Sequence, residues 1–213
     1  MVDLESLPFL VKICGVTTVH DALAVHDAGA SALGLILATS KRQITVARAA
    51  EIARATDGGP LRVGVFRNDS DDFILEVVDA TGVEVVQVHG PLNGELLEKL
   101  KRRGVAVVKA LSLGDQEFVE FDERTVDAVL VDGPEPGSGE EHSWVQVQDR
   151  RFRVPLIAAG GLTPDNVGSV ISLVRPWGVD VSTGVEASPG VKDISLVSSF
   201  VTRARRAFLQ REE

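Results

Sequence analysis

Eight short apolar runs rich in β-branched residues, each followed by a stretch with one-sided periodicity, constrain the fold more than any other feature of the 213 residues. The runs are VKICGV (11–16), ALGLILA (32–38), LRVGVF (61–66), VEVVQVHG (83–90), VAVVKALS (105–112), DAVLVDG (127–133), VPLIAAGG (154–161) and GVDVSTG (178–184). They show little apolar–polar alternation, which is how parallel strands buried on both faces read. Between them, HDALAVHDAGA, TVARAAEIARA, DDFILEVVDATG, NGELLEKLKRRG and TPDNVGSVISLV repeat apolar residues at spacings of three and four, the mark of helices with one buried side. Gly29, Gly82 and Gly104 stand where a helix end takes a left-handed residue, and Asp69 and Thr163 stand near helix starts. The pattern is weaker in GDQEFVEFDERT after the fifth run, and Pro134 to Arg153 reads as a loop with at most a short helix.

Alternating strands and helices close into a barrel or spread into an open doubly wound sheet. Eight units in about the length of a minimal barrel favour closure. The open sheet would normally carry a Gly-rich phosphate loop after its first strand. Here that strand ends ICGVTT, with neither GxGxxG nor GxxxxGK[ST]. The expected fold is an α/β (β/α)8 barrel, one domain over residues 1–213, since no Pro/Ser-rich linker divides the chain.

Composition narrows the function classes. With 44% apolar and 25% charged residues the chain can bury a core, so disorder is not expected. A formal charge of -9 repels polyanions, which excludes nucleic acid as the natural partner. A small phosphorylated ligand remains possible, because backbone N–H groups at a helix start bind phosphate whatever the net charge. One cysteine permits neither an internal disulfide nor a two-cysteine metal site. No apolar stretch reaches the roughly 18 residues that span a bilayer, and the first ten residues carry two acidic side chains and no basic run, unlike a secretory signal. The expectation is a cytoplasmic protein with no membrane partner and no metal.

In such barrels the chemistry sits at the C-terminal ends of the strands. Those positions hold Lys12, Cys14, Arg42, Arg67, His89, Lys109, Asp132, Gly160, Gly161, Asp180, Ser182, Thr183 and Gly184. A lone Cys is commonly a small buried hydrophobe. Cys14, however, has Lys12 two residues earlier on the same strand face, and a nearby ammonium favours the reactive thiolate. Asp132 precedes a glycine, so it reads equally as a turn residue or as an acid. Together Cys14 and Asp132 supply a base and an acid on separate strands, able to work on opposite sides of one small molecule. The AAGG and VSTG ends follow strands seven and eight, where barrels often build a phosphate site from loop amides; each alone reads equally as a tight turn. Arg42 offers a planar fork for a carboxylate, or is merely a solvated loop residue. His89 either lines the pocket or bonds structurally within the barrel mouth.

KICG (12–15), GVF (64–66), VQVHG (86–90), AGGLTPDNV (159–167) and GVDVSTGVEASPGVKD (178–193) resemble the phosphoribosylanthranilate isomerase family in order along nearly the whole chain. The specific combination is KICG with GVDVS-[ST]-GVE-x-x-PG-x-KD. The resemblance implies a cofactor-independent Amadori rearrangement of a phosphoribosyl substrate in tryptophan biosynthesis, by a monomer or homodimer. It makes Cys14 the general base and Asp132 the general acid. Arg42 becomes the partner of the anthranilate carboxylate, and Gly160, Gly161, Ser182, Thr183 and Gly184 the phosphate cradle. His89 and Asp180 become pocket residues. The related histidine-pathway isomerase barrel resembles this one in fold but ends its first strand in aspartate, so Cys14 discriminates between them, and likewise against dual-substrate relatives.

Two departures from the family pattern stand out. LATSKR (37–42) replaces FAPxSPR, which bears on how Arg42 is aimed, and PGSGEEHSW replaces GGTGxxFDW after strand six, with His142 and Ser143 for Phe and Asp. A second reading follows from them: a barrel of this family that binds a phosphorylated ligand without turnover, or with a shifted substrate.

Overall fold

The structure, a computed structural model, describes residues 4, 7–113, 118, 121–132, 144, 147 and 150–211. Eight parallel strands, β1 (Leu10–Cys14), β2 (Ala32–Ile36), β3 (Leu61–Arg67), β4 (Val85–His89), β5 (Ala106–Ser112), β6 (Ala128–Asp132), β7 (Leu156–Ala159) and β8 (Gly178–Val181), pair in sequence order, and β8 closes onto β1. Each falls within, or one residue beyond, an apolar run of the sequence. The helices among the described residues are α1 (Val19–Asp27), α2 (Val46–Ala55), α3 (Asp71–Thr81), α4 (Gly94–Arg102), α5 (Val167–Val174) and α6 (Ile194–Gln210). A two-stranded hairpin that the sequence did not announce, β9 (Glu186–Ser188) with β10 (Val191–Lys192), follows β8. Half of GDQEFVEFDERT and most of Pro134–Arg153, including His142 and Ser143, lie outside the described residues; Glu123–Thr125 forms one short 3-10 turn before β6.

Helix ends follow local chemistry. Thr18, Thr45, Ser70, Asn93 and Asp193 each accept a backbone N–H of the first turn of α1, α2, α3, α4 and α6. The α3 cap is thus Ser70, one residue past the expected Asp69, whose carboxylate accepts the N–H of Arg67 instead. Thr163 Oγ1 accepts from the N–H groups of Asp165 and Asn166, making a turn just before α5. Gly29, Gly82 and Gly104 take positive φ at the ends of α1, α3 and α4 as expected.

Side-chain alternation along the strands does the positioning. Leu10, Ala32, Val63, Val65, Val108, Ala110, Leu130 and Ile157 form a cluster separate from the larger core between strands and helices, and they fill the barrel interior. Carrying the period of two upward from these residues brings Cys14, Arg67, His89 and Asp132 to the inner rim. One step below the rim are Lys12, Gln87 and Asp180, while Gly34 stands beside Cys14. Register supports this layering: Lys12 stands opposite Asp180, and Cys14 opposite Gly34. Lys109 falls on the other parity, paired with Val88 and Val129, and so leaves the sheet on the helix side.

The outer core rests on residues such as Phe200 of α6, which is fully buried. Phe200→Ala is expected to lower unfolding free energy by about 3–5 kcal/mol, the usual scale for truncating a buried Phe. A urea titration checks it; a loss under about 1 kcal/mol would mean the α6 contact is not core.

Candidate active site

A cavity of about 870 Å³ opens at the C-terminal mouth of the barrel, of a size suited to a small ligand (~300–1,000 Å³). Cys14, Arg42, His89, Asp132, Asp180 and the glycine-bearing ends after β7 and β8 all line it, so every sequence-predicted catalytic, substrate and phosphate residue meets in one place. Lys12 lies buried just beneath, with its Nζ 2.8 Å from Asp180 Oδ2. Lys109 does not line the cavity; it is buried and donates to the carbonyl of Gly90 at 2.8 Å. The C-terminal strand position therefore identified Lys109 wrongly, because it ignored strand parity.

Cys14 sits on the cavity wall with little exposure, and Gly34 on the adjoining strand makes room for it. A Cβ at Gly34 would come within 2.6 Å of the sulfur. Burial pushes the thiol above its ordinary pKa; Lys12 and Lys192 pull it back, while Asp180 pushes the same way as burial. The net displacement is upward. Lys12 does favour the thiolate, as expected from its place on the strand face, but its pull is outweighed by desolvation, and its ammonium is also bonded to Asp180.

Asp132 is raised to about 6 by burial and by the charge of Asp180, with Lys12 and Arg67 opposing. It therefore holds its proton well above the usual carboxylate range. His89 is pulled down to about 4 by burial and by Arg67, Lys12 and Lys109, so its ring is neutral at pH 7. Its Nε2 lies 2.9 Å from Gln87 Nε2, and its Nδ1 3.9 Å from Asp132 Oδ2. Arg42 reaches across the mouth to Glu186, with Nε and NH2 bonded to the two carboxylate oxygens at 2.8 and 2.7 Å.

The rim loops are tightly built. Gly160 and Gly161 adopt φ of 82° and 63°, and a Cβ on Gly184 would lie 2.0 Å from the carbonyl oxygen of Leu162. The loops after β7 and β8 thus touch backbone to backbone, which only glycine permits. Asp180 Oδ1, Ser182 Oγ and Gln87 Oε1 are buried without a hydrogen-bond partner among the described residues, and all three belong to residues lining the cavity. Buried polar atoms are rarely left unpaired, so three around one cavity mark groups that a polar ligand can satisfy.

The family model described as N-(5'phosphoribosyl)anthranilate (PRA) isomerase matches residues 11–203. The chain belongs to this family. It is 37% identical over 202 residues to an N-(5'-phosphoribosyl)anthranilate isomerase of Rubrobacter xylanophilus, covering 92% of this chain and 98% of the relative. Among solved structures it is similar to the phosphoribosyl anthranilate isomerase of Thermotoga maritima, with TM-score 0.84 and 37% identity over 93% of this chain and 99% of that one. It is also similar to a phosphoribosyl anthranilate isomerase in complex with reduced 1-(o-carboxyphenylamino)-1-deoxyribulose 5-phosphate, with TM-score 0.80 and 36% identity over the same shares.

Against this family background, Gly34, Gln87, Glu186 and Lys192 shape the site without a role assigned from the sequence. Gln87 left a signal, being the one polar residue inside the apolar run VVQV. Glu186 and Lys192 stood in the most specific motif, yet their pairing depends on the unannounced hairpin. As a check on the electrostatics, iodoacetamide at pH 7 is expected to modify Cys14 more slowly than an unperturbed cysteine of pKa ~8.5, because only thiolate reacts and burial raises this thiol. Modification at or above the rate of a free peptide thiol would contradict the raised pKa.

Proposed function

We propose that this chain converts N-(5-phosphoribosyl)anthranilate to 1-(2-carboxyphenylamino)-1-deoxyribulose 5-phosphate, the Amadori step of tryptophan biosynthesis, with Asp132 as general acid and Cys14 as general base. The observation that carries the reading is that these two groups line a single cavity from strands three steps apart round the ring. Asp132 keeps a usable proton because burial and Asp180 raise it to about 6. It gives that proton to the ribose ring oxygen, and the C1–O bond breaks to leave a protonated Schiff base. Cys14, as thiolate, takes the C2 proton; the C–H electron pair forms the C1=C2 bond, and the nitrogen accepts the former C=N pair. The resulting enolamine becomes the ketone as a proton moves from the C2 hydroxyl to C1. Atoms and electrons balance without a redox partner.

The remaining residues hold the substrate. Gly160, Gly161, Ser182, Thr183 and Gly184 surround the phosphate, with Ser182 Oγ lacking a partner among the described residues. Asp180 offers its Oδ1, unpaired among the described residues, to a sugar hydroxyl. Neutral His89 beside Asp132 is a polar neighbour that does not compete as a cationic acid. Arg42 takes the anthranilate carboxylate. A cytoplasmic setting suits a site whose base is the chain's sole thiol, since a reducing compartment keeps it free.

Freshly generated phosphoribosylanthranilate loses its fluorescence on isomerisation, so turnover is read directly. The protein is expected to accelerate this loss, and Cys14→Ala and Asp132→Asn each to lower kcat by at least about 100-fold, the scale of a general acid or base. Parental turnover in either variant would remove that residue from its role. Binding of the reduced product analogue with no turnover by the parent would favour the non-catalytic reading instead.

A further inference from the structure

Two buried charged side chains of the GVE-x-x-PG-x-KD stretch, Glu186 and Lys192, take no part in the proposed mechanism. Both side chains are almost wholly buried and their charges meet at 2.9 Å. Glu186 Oε1 also accepts Arg42 Nε and the N–H of Gly190, while Oε2 accepts Arg42 NH2. Lys192 Nζ donates in turn to the carbonyl of Cys14 at 2.6 Å and to that of Ser182 at 3.3 Å. One buried carboxylate is thereby linked to the arginine on one side, and through the lysine to the backbone of the base and of the phosphate loop.

Arg42 is held along its length. Its stem crosses Gly15, where a Cβ would come within 2.5 Å of Arg42 Cδ, and its NH2 also donates to Thr183 Oγ1 at 3.1 Å. Of the five guanidinium N–H donors, Nε and the NH2 pair are thus engaged, and NH1 has no bond among the described residues. We propose that Glu186 is a positioning residue, anchored by Lys192, that fixes the Arg42 fork so that NH1 meets the carboxylate of the substrate. This rests on the carboxylate-bearing substrate named above. A long, flexible arm held in advance loses less freedom when the ligand arrives, which is how preorganisation strengthens binding. The opposite reading, Glu186 as a competitor that occupies Arg42 until a ligand displaces it, predicts the reverse effect of removing the charge.

The test uses two competitive ligands: reduced 1-(o-carboxyphenylamino)-1-deoxyribulose 5-phosphate, and its phenylamino counterpart without the ring carboxylate. The parent is expected to bind the first about 30-fold more tightly, the order of a hydrogen bond to a charged group. Glu186→Gln puts an NH2 in place of one carboxylate oxygen, so in either amide orientation one arm of the Arg42 fork faces a donor. Its preference is expected to fall to within about threefold, while affinity for the carboxylate-free ligand stays within about twofold of the parent. A scaffold defect would weaken both ligands together. If Glu186→Gln does not accumulate as folded protein, Glu186→Asp keeps the charge beside Lys192, withdraws it by one methylene, and is expected to reduce the preference as well. A folded variant with the parental preference, or a larger one, overturns the proposal. A parent that binds neither ligand strikes the isomerase reading itself, an outcome distinct from a parent that binds both while the variant keeps its preference.

Discussion

Lys12 and Asp180 sit inside the barrel, one residue layer below the rim, and their 2.8 Å contact joins the two strands at which the sheet closes. Burial alone would lower the lysine, but Asp180 and Cys14 more than offset it and hold the ammonium above its ordinary pKa. A buried pair of this kind adds little net stability, since desolvating two charges consumes most of their attraction. Removing one partner is another matter, because it strands the other, a loss of about 3–5 kcal/mol. Its functional weight lies in the charges it fixes beneath the ligand. Asp180 pushes both Cys14 and Asp132 toward their protonated forms, and Lys12 pulls both the other way. The proposed base and acid are therefore tuned by the same two charges, and a change at either alters both Cys14 and Asp132.

Above this layer the rim loops are fixed by backbone contact. Gly184 against Leu162 is a packing requirement that would hold with or without phosphate. The tight-turn and phosphate readings of these glycines are therefore not exclusive: the turn brings the loops of β7 and β8 together, and their junction is lined by the Ser182 hydroxyl, which has no partner among the described residues. The hairpin after β8 then folds back so that Lys192 bonds the end of β1. That bond ties the last strand's loop to the end of β1 that carries Cys14.

The barrel was legible because buried parallel strands write themselves as apolar runs, and all eight recur as strands. The membership of the cavity was legible too, through strand ends and motifs. Strand parity was the information left unused: it separates Lys12, which faces inward beneath Cys14, from Lys109, which faces the helices. The thiol's direction of shift was not readable, because burial competes with Lys12 and only the folded arrangement shows that Lys12 is already paired. Asp69 and Ser70 are adjacent, equally good caps, and which one bonds the helix start depends on a turn at Arg67. Glu186 and Lys192 meet only through a hairpin too short to leave a periodic signal.

At the barrel mouth, burial and the charge of Asp180 keep a proton on Asp132 where an ordinary carboxylate would have lost it. NMR titration of aspartate labelled with carbon-13 at the carboxyl, with Asp132→Asn identifying the resonance, reads this in the free protein. A midpoint near 6 is expected from burial and from the charge of Asp180. A midpoint near ~4, the value of an exposed aspartate, would contradict the account.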